Sequence, residues 1–419
     1  MMKINIIDLF AGCGGLTDGF VQTGHYNTLA SVDWELPTVN TLKKRLITKY
    51  GYGFEDVNDK VLYFDIQRTD ELLYGFDDPT YGKSVGLSNI VNNRNVDLII
   101  GGPPCQAYSI AGRVRDKNGM QDDYRNYLFE SYVRMVTSFN PNFFVFENVE
   151  GILSAKPGGI SIVDRIKKAF DEIGYEITDN LRRNALFDTS YYNVPQKRKR
   201  VIIFGVKKDN KSTQLINSFY SLMKLKKSNE PTASKIAFEN LPKIFPSTDG
   251  KHSHKMKLNG VALPKNHEPR MHSKRDIEIF KLLTEDIKNG TNKYLSSKAL
   301  IQLYKEKTGK ESKFHKYHVI REDRPSNTIP AHLYKDGLRH IHPDPNQARS
   351  ITVREAARLQ TFDDDFEFLG SKGDQYKMIG NAVPPKFAKI IAETVFELFS
   401  YDKIEIREGL FKRVLEKTY

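Results

Sequence analysis

The chain has 419 residues, with 64 Lys+Arg against 52 Asp+Glu, a formal net charge of +12 and 39% apolar residues. That is long enough for two domains, or for one domain carrying a large insert, and apolar enough for a sizeable core. No run approaches the roughly 18 apolar residues of a membrane span, the opening MMKINIIDLF lacks the pattern of a signal peptide, and two distant cysteines, Cys13 and Cys105, make no disulfide framework; the reading is a reduced, cytoplasmic protein.

Up to Val206 the pattern alternates. Apolar runs at Ile4–Phe10, Thr28–Val32, Val96–Ile100, Phe143–Phe146 and Val201–Val206 predict strands. Between them, helical spacing covers Tyr127–Phe139 and Ser161–Ile173. Short strands separated by helices predict an α/β fold with a doubly wound, mostly parallel sheet, which places its ligands at the strands' carboxyl ends. After Lys207 the alternation stops. From Lys207 to Arg324 there are 26 Lys+Arg and 13 Asp+Glu, whereas the rest of the chain holds 38 and 39. A domain-sized basic block of this kind is an electrostatic footprint for nucleic acid. Helical pieces fall at Ile277–Ile287 and Ser297–Lys307, and regular patterns return at Ile351–Gln360, opened by a Thr352/Glu355 capping box, and at Lys386–Phe399. The expected organisation is a discontinuous catalytic domain, 1–206 and 346–419, interrupted by a basic insert over 207–345.

The first strand runs into Phe10-Ala11-Gly12-Cys13-Gly14-Gly15-Leu16, a glycine-rich turn that lets a ligand approach the backbone. About 20 residues on, Asp33 ends the second strand, where such folds bind ribose hydroxyls; Trp34, the only tryptophan, can stack on an adenine. Asp65 and Ile66 can read the adenine edge. Together these suggest a nucleoside-bearing cofactor. Cys105 sits in GGPPCQ, a stiff turn after a buried strand. A free thiol with a pKa of about 8.5 is only slightly ionised at neutral pH, so a nucleophile there needs nearby positive charge. Gln196-Lys197-Arg198-Lys199-Arg200 can supply it, with Arg198 and Arg200 on one face of an extended segment. Glu147 ends the strand Phe144-Val145-Phe146, where partial desolvation suits a carboxyl to hold a proton. A thiol and an acid without a suitably placed histidine fit attack on a ring that is protonated as the bond forms. The histidines His252, His254, His267, His272, His315 and His318 lie in a segment without cysteine, so no metal is expected.

DLFAGCGGL, GGPPCQAYSIAGR, FENVEGIL, NVPQKRKRVIIFGV and RSITVREAARLQTFDDDF…YKMIGNAVPP occur in one order. In these blocks the chain resembles the DNA (cytosine-5)-methyltransferases over nearly its whole length outside the basic segment. The resemblance implies a Rossmann-like methyltransferase fold, S-adenosyl-L-methionine as methyl donor and double-stranded DNA as substrate. It implies that Phe10, Gly12, Gly14, Leu16, Asp33, Trp34, Asp65, Ile66, Pro104, Asn381 and Val383 bind the cofactor. Cys105 matches the nucleophile, Glu147 the acid, and Arg198 and Arg200 the paired arginines beside them. Gln106, Ser109 and Arg113 match a catalytic loop on the DNA, joined there by Gln196; Arg270, Lys274 and Arg275 are candidates from the basic segment. The family has other residues at Tyr108, Asn126, Asn193 and Asp363; Asn tolerates positive φ, so Asn193 can keep its turn. The setting implied is a monomeric modification enzyme beside a cognate restriction endonuclease. A tRNA methyltransferase, a non-catalytic DNA-binding scaffold and a nicotinamide-dependent oxidoreductase are the competing readings.

Overall fold

The computed structural model describes residues 3–104, 128–247, 253–258, 263–314, 317–335 and 337–403, with 401–403 described for their backbone alone. The strands of the main sheet are β1 (Ile4–Leu9), β2 (Tyr26–Asp33), β3 (Val61–Tyr63), β4 (Leu98–Gly101), β5 (Phe143–Val149), β6 (Tyr175–Ile177), β7 (Leu186–Asp188) and β8 (Lys199–Lys207). The helices used below are α1 (Gly15–Val21), α2 (Leu36–Tyr50), α3 (Leu128–Phe139), α4 (Ile162–Glu172), α5 (Ser212–Leu225), α6 (Lys274–Lys288), α7 (Ser297–Thr308), α8 (Val353–Leu359), α9 (Lys372–Asn381) and α10 (Pro385–Lys403).

The chain divides into two compact units. One comprises Met1–Tyr192, Arg198–Asn229 and Val383–Tyr419; the other comprises Asn193–Lys197 and Glu230–Ala382. The first is built on an eight-stranded sheet of order β3-β2-β1-β4-β5-β8-β6, with β7 also pairing β8. The pairs among β1 to β5 are parallel, and β8 runs antiparallel to β5, β6 and β7. The central strands are apolar runs buried on both faces, as a helix-covered parallel sheet requires. Strand order reverses direction between β1 and β4, so the crevice of this sheet opens at the carboxyl ends of those two strands.

This unit reaches beyond the boundary at Val206 that composition suggested. Helix α5 is lysine-flanked, but Ile216, Phe219, Tyr220 and Met223 form a buried face. The Tyr220 hydroxyl accepts from Phe204 N at 3.2 Å and donates to Ile202 O at 3.1 Å, and Phe219 stacks on Phe204 at 4.3 Å. Helix α10 joins the same unit: the Tyr26 hydroxyl donates to Ala392 O at 2.6 Å, and His25 stacks on Phe396 at 3.6 Å.

The second unit contains a small antiparallel pair, β9 (Lys243–Pro246) and β10 (His254–Lys257). Its helices α6 and α7 are N-capped by Ser273 and Ser296. Ile279, Phe280, Leu283, Leu300, Leu303, Tyr317 and Ile341 form a core around them. The stretch 346–382 belongs here and not to the first unit. Arg349 makes two bonds to Glu355, at 2.6 and 2.7 Å, with both side chains buried; Ile244 N donates to Gln347 Oε1, and Arg354 N donates to Asn266 O. Burial alone would raise the Glu355 carboxyl, but the Arg349 guanidinium overrides it and holds the group well below the carboxylate range. Thr352 and Glu355 form the predicted capping box of α8.

Candidate active site

The glycine turn after β1 is held by Ala11 N donating to Val32 O at 3.0 Å and Gly14 N to Ala11 O at 2.9 Å. Phe10, Gly12 and Gly14 all take positive φ, at 58°, 56° and 93°. A Cβ on Gly14 would also lie 2.5 Å from Leu42 Cδ1, so glycine is required there twice over. The turn fixes Asp33. Gly12 N donates to Asp33 Oδ2 at 2.8 Å, while Glu35 N and Thr38 Oγ1 each donate to Oδ1 at 2.9 Å. Burial raises the Asp33 carboxyl above its ordinary value, and these hydrogen bonds oppose it.

A cleft at the crevice is lined by Phe10, Asp33, Trp34, Asp65, Ile66 and Pro104, together with Val32, Phe64, Gln67 and Leu128. Six residues proposed from sequence as cofactor contacts therefore meet at one place, at the ends of β1, β2 and β4. Trp34 keeps 45% of its surface exposed beside Asp33, whereas Phe64 is buried. Gly12 joins the cleft through its bond to Asp33, and Leu16 is buried on α1. Val383 is buried in the same unit; Asn381, the last residue of α9, lies in the other. Sequence reasoning missed Thr38, the one hydroxyl among the three donors to Asp33. Its position five residues after Asp33, at the start of a helix, was the available signal.

Beside the cleft, β5 carries Glu147 and Asn148 near its carboxyl end. Asn148 Nδ2 donates to Pro103 O at 3.2 Å and its Oδ1 accepts from Val149 N at 2.8 Å, tying the proline turn to β5. Glu147 is buried, and a Cβ on Gly102 would lie 2.7 Å from its Oε2, so only glycine leaves room for the carboxylate. Arg200 Nε lies 2.7 Å from Glu147 Oε1, both side chains about nine-tenths buried. The ion pair follows from register: antiparallel β8 pairs Ile202 with Glu147 and Arg200 with Val149. Arg198 is also buried, and burial and the Arg200 charge lower its guanidinium's pKa while Glu147 opposes them. Glu147 is thus a buried acid with a guanidinium against it, rather than one in purely apolar surroundings.

Cys105, Gln106, Ser109 and Arg113 lie outside the described residues, as do Tyr108, Asn126, His252 and His315. Two polar residues expected on DNA are engaged within the second unit, Gln196 buried and Arg270 half-buried. Gln196 is fully buried, accepting from Ile329 N at 2.8 Å and donating to Gln360 Oε1 at 3.0 Å. Arg270 donates to the carbonyls of Leu333 and Tyr334 and lies over the Tyr376 ring. Their side chains hold the unit together because buried carbonyls and amides need partners. Lys274 and Arg275 are exposed at the start of α6, Arg275 beside Asp276 at 3.1 Å. Asn193 does take positive φ, at 60°. His254, His267 and His272 bond to Gln347 O, to Thr352 Oγ1 and to Ser350 Oγ, and burial lowers the pKa of each. Among the described residues no cluster of His, Cys, Asp and Glu is arranged to hold a metal, and no helix is long and apolar enough to cross a membrane.

A family model of C-5 cytosine-specific DNA methylases matches residues 4–397. The chain is 34% identical to the Type II methyltransferase M.Bpa9945I of Bacillus paralicheniformis, over 94% of this chain and 99% of that one. It is 31% identical to the Type II methyltransferase M.DdeI of Desulfomicrobium norvegicum, over 99% and 94%. The S. pombe Dnmt2 methyltransferase structure shares the fold, with a TM-score of 0.53 at 13% identity over 96% of this chain and all of that one. A glycine turn orienting a carboxylate at the sheet's crevice, a buried Glu–Arg pair beside it and a match over nearly the full length make this chain a member of the C-5 cytosine-specific DNA methylase family.

Proposed function

We propose that this DNA (cytosine-5)-methyltransferase takes its methyl group from S-adenosyl-L-methionine held in the Asp33–Trp34 cleft, and acts through Cys105 and Glu147. The observation that carries the reading is the position of Pro103 and Pro104. Pro104 lines the cleft, Pro103 is bonded to the residue after Glu147, and Cys105 follows directly in sequence. The donor set fits an adenosyl group. Asp33 is fixed by three donors with one lone pair left for a ribose hydroxyl, Trp34 offers an exposed indole face, and Asp65, on the same cleft, would take the adenine edge. When bound, S-adenosyl-L-methionine supplies an electrophilic methyl group.

The chain's own groups do the rest. Carbon 5 of cytosine is a poor nucleophile until a thiolate adds to carbon 6, the role of Cys105. Negative charge then builds toward N3, where Glu147 holds a proton and Arg200 keeps the carboxyl in place. Loss of the carbon-5 proton and expulsion of the thiol restore the aromatic ring. The target atoms are inaccessible within a duplex, so the cytosine leaves the stack. The Type II names of the relatives support a restriction–modification setting; a cognate endonuclease and a monomeric, cytoplasmic enzyme complete the proposal.

The test is methyl transfer from tritiated S-adenosyl-L-methionine to mixed-sequence duplex DNA and, separately, to tRNA. Label in duplex DNA at cytosine is the expected result; label in tRNA alone would overturn the substrate reading.

A further inference from the structure

Asp33 is held by a hydroxyl with two acceptors in reach. Thr38 is buried in the first turn of α2, and its Oγ1 lies 2.9 Å from Asp33 Oδ1 and 2.6 Å from Glu35 O. A hydroxyl has a single proton, so it donates fully to only one of these oxygens at a time. Glu35 O is already served, because Thr38 N and Val39 N donate to it at 3.0 and 3.1 Å as α2 begins. Asp33 Oδ1 has Glu35 N at 2.9 Å and takes a second donor when the carboxyl is ionised.

The pair therefore has two hydrogen-bonded arrangements. With Asp33 ionised, the Thr38 proton points at Oδ1, in a bond roughly twice as strong as one between neutral groups. With Asp33 neutral, Oδ1 carries a proton and donates it to Thr38 Oγ1, whose own proton turns to Glu35 O. Loss of the hydroxyl thus costs the ionised form more than the neutral one. Other groups facing Asp33 oppose its ionisation: Glu35 on α2 and Asp8 on β1, with Asp65 on the same cleft, while burial keeps the Cys13 thiol neutral. Against them the fold sets Gly12 N, Glu35 N and the Thr38 hydroxyl.

The same bonds divide the carboxylate. Oδ1 is filled by Glu35 N and Thr38, and Oδ2, with Gly12 N at 2.8 Å, keeps one lone pair. We propose that Thr38 is a positioning residue for the cofactor: its hydroxyl proton turns from Glu35 O to Asp33 Oδ1 as the carboxyl ionises, and so keeps Oδ2 a charged acceptor for one ribose hydroxyl. This rests on S-adenosyl-L-methionine occupying the Asp33–Trp34 cleft.

The experiment is calorimetric titration of the full chain with S-adenosyl-L-homocysteine and with its analogue lacking both ribose hydroxyls, from about pH 5 to about pH 8. A ribose hydroxyl bonds better to the ionised acid, so affinity falls as pH drops through the Asp33 value, and losing a donor to the carboxylate raises that value. In Thr38→Val the fall is expected about one pH unit higher, with S-adenosyl-L-homocysteine bound about 10-fold more weakly at the acid end and the loss narrowing toward the alkaline end. The analogue is expected to bind wild type and Thr38→Val alike. Thr38→Ser keeps the hydroxyl and should follow wild type, and Thr38→Ala, which relieves any crowding by the valine, should follow Thr38→Val. Asp8 titrates in the same range, but every variant carries it, so differences among them belong to Asp33. Equal loss of both ligands in Thr38→Val, a wild-type pH profile in it, or a Thr38→Ser that behaves like it overturns the proposal. Wild type that binds neither ligand overturns instead the cofactor reading beneath it.

Discussion

Glu147→Gln separates what the Glu147–Arg200 pair does for stability from what Glu147 does for chemistry. The two side chains meet at 2.7 Å and retain 10% and 12% of their exposure. Removing one partner of such a pair leaves the other desolvated without a counter-charge, at a cost of about 3 kcal/mol. The glutamine keeps the shape but offers no proton to N3, which should slow transfer by roughly 10²- to 10⁴-fold. Arg200→Gln should destabilise by a similar amount, because it strands the carboxylate. The double variant removes both charges of the pair, with Arg198 still buried beside it, and should recover part of the stability lost by either single one, while its turnover stays as low as that of Glu147→Gln. Urea unfolding and single-turnover tritium transfer, run on all four proteins, read the two effects independently. Near-wild-type turnover in Glu147→Gln would remove Glu147 from proton handling. Stability losses that simply add in the double variant would mean the 2.7 Å pair carries no coupling.

Asp33→Asn keeps the shape of the side chain but gives up the charge that orients the glycine turn, and should weaken S-adenosyl-L-methionine binding by roughly 10- to 100-fold. Trp34 is the only tryptophan and lines the same cleft, so its fluorescence reads the titration; unchanged affinity would dissociate Asp33 from the cofactor. Asp8 is fully buried, accepts from Thr17 Oγ1 at 2.5 Å, and burial raises its carboxyl from 3.8 to about 7. A carboxyl raised on folding stabilises below its unfolded value and loses that stability as pH climbs through the folded one. Wild type should therefore lose up to about 4 kcal/mol between pH 4 and 7 through this group, and Asp8→Asn should flatten that slope in urea titrations across the range. Gly102→Ala pushes a methyl to within 2.7 Å of Glu147 Oε2 and should lower turnover with little change in cofactor affinity; full activity would show that the carboxylate can move aside.

The features legible in the sequence are those with a local physical cause. Apolar runs such as Ile4–Leu9 and Phe143–Val149 can only be buried strands, and Thr352 with Glu355 caps a helix through side chains four residues apart at most. The cleft was legible as well, because Gly14 and Asp33 meet steric and electrostatic demands that few other residues satisfy. Three-residue strands at Val61–Tyr63, Tyr175–Ile177 and Leu186–Asp188 were not, since they are too short for a period and exist through pairing with longer neighbours. The antiparallel direction of β8 is set by its connection, not its composition. The misplaced boundaries have the same origin. Lysines flanking α5, such as Lys208, Lys211, Lys226 and Lys227, conceal a face of Phe219 and Tyr220 that belongs to the sheet, and Gln196 and Arg270 look like surface readers until their internal carbonyl and amide partners are seen.

The central claim is cytosine-5 methylation of DNA through Cys105, and bisulfite sequencing of mixed-sequence duplex DNA, treated with enzyme and S-adenosyl-L-methionine beside a Cys105→Ala control, tests it most directly. The account predicts protected cytosines at one short sequence with wild type and none with Cys105→Ala, which should still bind DNA. Protection that persists in Cys105→Ala would contradict the nucleophile, and no protected cytosine with wild type on a broad DNA set would contradict the reaction.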